Sequence, residues 1–145
     1  MNIKLALLLF IVGFVLVNGL KFMFVSFGYK KMLKKTAKNG IPDTDFYKSA
    51  FKPTIMFQPF YYVFVWLICS YIYISKHGST NIFSDSLKTG ILWVTLTILI
   101  EMVIWVIANH KMKLSWKEMY IYTQPWILLN YYAVFVSPLI LSLMF

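Results

Sequence analysis

The chain has 145 residues, of which 60% are hydrophobic and only 13% charged, and its mean hydropathy is +0.70. Soluble domains carry about a quarter charged residues, and a soluble chain of this length could not hide so much apolar surface, so a water-soluble globule is excluded. The net charge of +9 comes from 14 lysines, no arginine and five acids; the lysines sit at the ends of apolar runs, where they set membrane topology and meet anionic lipid headgroups rather than nucleic acid.

Four apolar runs are each long enough to cross about 30 Å of hydrocarbon at about 1.5 Å per residue. The predicted spans are residues 5–27, 54–75, 89–109 and 125–145. They define one domain, residues 1–145: an all-α integral membrane protein of four transmembrane helices in an antiparallel bundle. The start MNIKLALLLFIVGFVLVNG has the charge and apolar order of a signal peptide, with Val17-Asn18-Gly19 as a cleavage site. The apolar run continues through LKFMFVSF, which favours a retained first span.

Loop 1, about residues 28–53, carries Lys30, Lys31, Lys34, Lys35, Lys38, Lys48 and Lys52. After the turn and N-cap signal Pro42-Asp43-Thr44-Asp45, the stretch DFYKSAFK puts Phe46, Tyr47, Ala50 and Phe51 on one side, the pattern of a short amphipathic interfacial helix. Loop 2, about residues 76–88, has only Lys76 and Lys88. Loop 3, about residues 110–124, has Lys111, Lys113 and Lys117. There, Ser115-Trp116-Lys117-Glu118 is a capping-box pattern that starts a second interfacial helix, with Trp116, Met119 and Tyr120 toward lipid. Loops 1 and 3 share a side and hold ten lysines against three for Lys4, Lys76 and Lys88. That asymmetry predicts loops 1 and 3 in the cytoplasm and both termini outside a plasma (inner) membrane. Gln58-Pro59 and Gln124-Pro125 recur at corresponding span starts, as a 2+2 parallel repeat would place them, although Pro near a helix start is ordinary chemistry. Tyr29, Tyr61, Tyr62, Tyr71, Tyr73, Trp116 and Trp126 lie near span ends, as an interfacial aromatic belt does.

Inside the spans the polar residues form a pattern. Glu101 lies about 12 Å, and Lys21 about 10 Å, from the cytoplasmic ends of two spans that run the same way. Asn18 and Thr97 are each one turn away from these charges, and Gln58 and Asn130 come from the other two spans within roughly 10 Å of the same depth. An isolated charge at mid-membrane costs roughly 3 kcal/mol or more, which a shared polar layer lowers. Glu101 is therefore expected to face the interior near Lys21, although Lys21 could also snorkel to the surface and Glu101 could be a protonated packing group.

No HExxH, GxSxG or P-loop pattern occurs. His77 and His110 fall on opposite sides, and Cys69 is alone in an apolar run, so neither a metal site nor a cofactor is expected. The Lys, Ile, Phe, Tyr and Asn richness fits an AT-rich bacterial genome. The primary expectation is a non-enzymatic accessory, envelope-stabilising or immunity-type protein that acts through a membrane-protein partner or as a homo-oligomer. The alternatives are a small oligomeric ion- or proton-coupled transporter or channel built on the Glu101 layer, and a lipid-modifying enzyme using His110, Asp43 or Glu118 at the cytoplasmic interface.

Overall fold

The computed structural model describes residues 1–36, 54–78, 80–109 and 113–145, and every regular element among them is helical. Helix α1 (Ile3–Thr36) is followed by a 3-10 turn (Ile55–Phe57) that leads directly into α2 (Gln58–His77). Helix α3 (Ile82–Met102) continues into a π-helical turn (Val103–Ile107), and then come α4 (Trp116–Tyr120) and α5 (Trp126–Ser142). Three segments are long and apolar enough to cross a membrane: Ile3–Gly28, Ile55–His77 and Ile82–Ile107. Helix α5 is apolar too, but its 17 residues put it at the lower limit for a crossing.

The described boundaries differ from the sequence reading in three places. Helix α1 does not stop near residue 27; its 34 residues make a rod about 51 Å long, so the backbone of Tyr29 to Lys35 is helical and not loop. The connection after α2 is only residues 78–81, so Lys76 and Lys88 sit on helices. The cause is local: Gly78 takes the left-handed conformation (φ 58°) that ends α2, and the Asn81 side chain accepts from the Ser84 amide to start α3. The fourth predicted span, 125–145, is α5, which begins at Trp126 after a cis Gln124-Pro125 bond but ends at Ser142. The DFYKSAFK segment, Asp43, Asp45, Lys38, His110 and Lys111 lie outside the described residues.

The capping box forms at α4: the Glu118 amide donates to the Ser115 hydroxyl, and the Glu118 carboxylate accepts from the Ser115 amide at 2.7 Å. Trp116 and Lys117 are exposed, but Met119 is buried. It packs with Trp105, Leu114, Ile127 and Tyr131, because α4 folds back on the end of α3 rather than lying flat. The Leu114 amide bonds the Trp105 carbonyl at 2.8 Å and fixes that return.

Helix α5 packs against both α2 and α3, while α1 lies on the outside against α2, with a lighter contact to α3. The α3–α5 crossing is close because of Gly90: a Cβ there would stand 2.5 Å from the Phe135 carbonyl oxygen. Small residues do this in membranes, where packing and hydrogen bonds, not water exclusion, hold helices together. Ala6, Phe10, Val17, Tyr62, Trp66, Tyr73, Trp93 and Val134 form the main apolar core. Trp66 and Trp93 are 5.1 Å apart, and the Trp93 indole donates to the Ala6 carbonyl at 2.9 Å, tying α3 to α1.

Candidate functional site

Helix α3 shows a line of buried residues four apart: Thr89, Trp93, Thr97, Glu101 and Trp105. In a straight α-helix such a line drifts by about 40° at each step, since four residues exceed one 3.6-residue turn. The wider π turn just after Glu101 reverses that drift and keeps Trp105 on the buried face. The Ala108 amide closes the turn on the Val103 carbonyl at 2.8 Å.

Glu101 is fully buried at 0% exposure, and Lys21 of α1 is 3% exposed. The Lys21 ammonium donates to Glu101 Oε1 at 2.9 Å, and the Tyr62 hydroxyl of α2 donates to the same oxygen at 2.6 Å. The ammonium also stands 5.8 Å from the Tyr62 ring centre and 5.3 Å from that of Trp105, within cation–π range. Tyr61, Tyr120 and Tyr131 lie close enough for the Glu101 charge to act on them, so tyrosines from three further helices surround the pair. Burial raises the Tyr120 phenol above its ordinary pKa. Glu101 Oε2 makes no hydrogen bond of good geometry, and the Tyr131 hydroxyl lies near the same carboxylate.

A second pair lies between α2 and α5. The Asn130 amide donates to Gln58 Oε1 at 2.9 Å, with both residues buried. Gln58 is one turn before Tyr62 and Asn130 adjoins Tyr131, so this pair borders the first. Asn18 and Thr97 do not join either pair. Each bonds the backbone of its own helix, Asn18 Nδ2 to the Phe14 carbonyl and Thr97 Oγ1 to the Trp93 carbonyl.

Among the lysines assigned to topology and headgroups, Lys30, Lys31, Lys34 and Lys35 belong to the last turns of α1, and Lys113 is exposed before α4. Tyr62 and Tyr73, read as belt residues, are instead buried; Tyr62 binds Glu101 and Tyr73 accepts from the Asn2 amide.

Comparison with family models, with curated proteins and with solved structures returned no match. The chemistry must therefore be read from the residues themselves.

The opposite end of the helices carries a contact that the sequence reading missed. His77 Nε2 and Asp85 Oδ2 are 2.6 Å apart, and Asp85 Oδ1 is 3.0 Å from the Met1 amine. The signal was present in the short Gly78–Asn81 connection, which brings the end of α2 and the first turn of α3 face to face. Among the described residues, no group of three His, Cys, Asp or Glu side chains comes together. Glu118, a candidate for interface chemistry, is engaged by the capping box.

Proposed function

We propose that this chain is a multi-pass plasma-membrane protein that acts through other membrane components rather than by catalysis, in an envelope-stabilising or immunity-type role. In this reading α1, α2, α3 and α5 all cross the bilayer as an antiparallel bundle. The lysine-rich end of α1 and α4 lie in the cytoplasm, with α4 at the interface, and both termini lie outside. The observation that carries it is how the buried polar groups are used. Lys21 and Glu101 neutralise each other and Asn130 holds Gln58, so the polar layer is engaged in holding α1 to α3 and α2 to α5. Buried polar pairs fix which helices meet and in what register. The outward face of α1, with Leu8, Ile11 and Val15 exposed, is left as the contact surface.

Photo-crosslinkers at Leu8, Ile11 and Val15 in native membranes test this reading. One discrete protein adduct, or a crosslinked dimer of the chain, is expected from these positions and not from buried Val17. Adducts to lipid alone at all three would refute it.

A second reading, proton- or ion-coupled transport, is favoured by Glu101 Oε2, a buried carboxylate oxygen without a well-formed bond and bordered by tyrosines. Proteoliposome flux that disappears in Glu101→Gln would select it; flux unchanged by that substitution would remove it.

A further inference from the structure

Beside the Lys21–Glu101 pair lies a small pocket whose walls include Lys21, Gln58, Trp105, Met119 and Thr123. It has room for roughly one water molecule. Its polar lining is specific. Lys21 has three N–H donors, of which one goes to Glu101. Gln58 Nε2 is buried without a partner, since Gln58 accepts from Asn130 through its other amide atom. The Thr123 hydroxyl donates to the Met119 carbonyl, which leaves its oxygen lone pairs available as acceptors.

We propose that this pocket is a binding site for a single water molecule, which bridges Lys21 to Gln58 and Thr123 and so couples the buried ion pair to the Gln58–Asn130 pair. The water accepts from Lys21 and Gln58 and donates to Thr123, three bonds, which is the usual number for a buried water. It joins the ion pair to the Gln58–Asn130 pair and satisfies the Gln58 donor, which is otherwise buried and unpaired at a cost. A phosphate or a sugar exceeds the space; water fits it.

The pocket is enclosed at both ends. Toward the Asp85 end, Val17, Trp66 and Trp93 are packed with 1% exposure or less. At the α4 end the pocket is walled by Met119 and Thr123, on α4 and the turn after it, which are 2% and 7% exposed. The groups that face Glu101 are Lys21 from α1, Tyr61 and Tyr62 from α2, Tyr120 from α4 and Tyr131 from α5. The site rests on the pocket's own residues and stands apart from the partner reading, whose crosslinking test can fail without affecting it.

Radiolytic hydroxyl-radical footprinting of the full chain in lipid nanodiscs tests the water site. Trp105, 3% exposed, is expected to oxidise several-fold faster than Trp66 and Trp93, which are 0% exposed and lie off the pocket. Thr123→Val and, separately, Gln58→Leu are expected to bring Trp105 down to the same rate. Equal rates for the three tryptophans in the unmodified chain would overturn the water site.

Discussion

The Lys21 ammonium and the Glu101 carboxylate lie 2.9 Å apart, with 4% and 0% of their side chains exposed. Two charges so deeply buried tolerate each other but not separation. Lys21→Met or Glu101→Gln alone is expected to destabilise the folded protein by about 3–5 kcal/mol, because each leaves or weakens one half of a buried pair. The combined Lys21→Met/Glu101→Gln chain should recover most of that loss. Thermal unfolding in nanodiscs, read as a double-mutant cycle, checks it; simple additivity of the two losses would show that the pair is not coupled.

Tyr62→Phe removes one hydrogen bond to a charged oxygen while keeping the ring that faces Lys21. A bond of this kind is worth about 1.5–3 kcal/mol. The same unfolding measurement should fall by about that amount, and a change under about 0.5 kcal/mol, below the range for such a bond, would mean that the hydroxyl is not engaged.

Asn130→Leu strands Gln58, whose side chain has no other hydrogen-bond partner among the described residues. Interhelical polar bonds in membrane proteins contribute about 0.6–2 kcal/mol, so a modest loss is expected, with partial rescue when Gln58→Leu is added. No rescue by the second change would argue against a direct pair.

Two glycines should behave oppositely. A Cβ at Gly90 meets the Phe135 carbonyl oxygen at 2.5 Å, whereas a Cβ at Gly19 meets nothing within 4 Å. Gly90→Ala must push α3 and α5 apart and should cost about 1–3 kcal/mol. Gly19→Ala should be neutral or stabilise α1 slightly, since alanine favours a helix by up to about 1 kcal/mol over glycine. Melting temperatures of the two variants decide it.

Orientation can be read with single cysteines in a Cys69→Ala chain. With the lysine-rich end inside, an impermeant maleimide should label Thr80→Cys in intact cells and Lys113→Cys only after permeabilisation. The reverse pattern would invert the topology proposed above.

What the sequence allowed follows from physics that acts locally. Long apolar runs, the Ser115–Glu118 capping box and the common depth of Lys21 and Glu101 all come from residue spacing along single helices. Tyr62 escaped because a tyrosine near a span start satisfies the belt pattern equally well, and only the neighbouring helices decide which way it points. Depth alone groups Asn18 and Thr97 with the layer, yet the carbonyls one turn back in their own helices are nearer acceptors. The π turn has no marker in VIWVI; it appears where α4 folds back and Trp105 must stay against Lys21. Residues 76–88 read as a polar loop because their charges outweighed the stop and start signals of Gly78 and Asn81.

The two partners of the central ion pair are 80 residues apart in the chain. At about 5–20 residues per second, the ribosome makes Lys21 roughly 4–16 s before Glu101. Through that interval the cation on the first helix has no counter-charge from the third, and an isolated charge at mid-membrane costs roughly 3 kcal/mol. The contact that ties α1 to α3 through this pair therefore closes only after the third helix has been made.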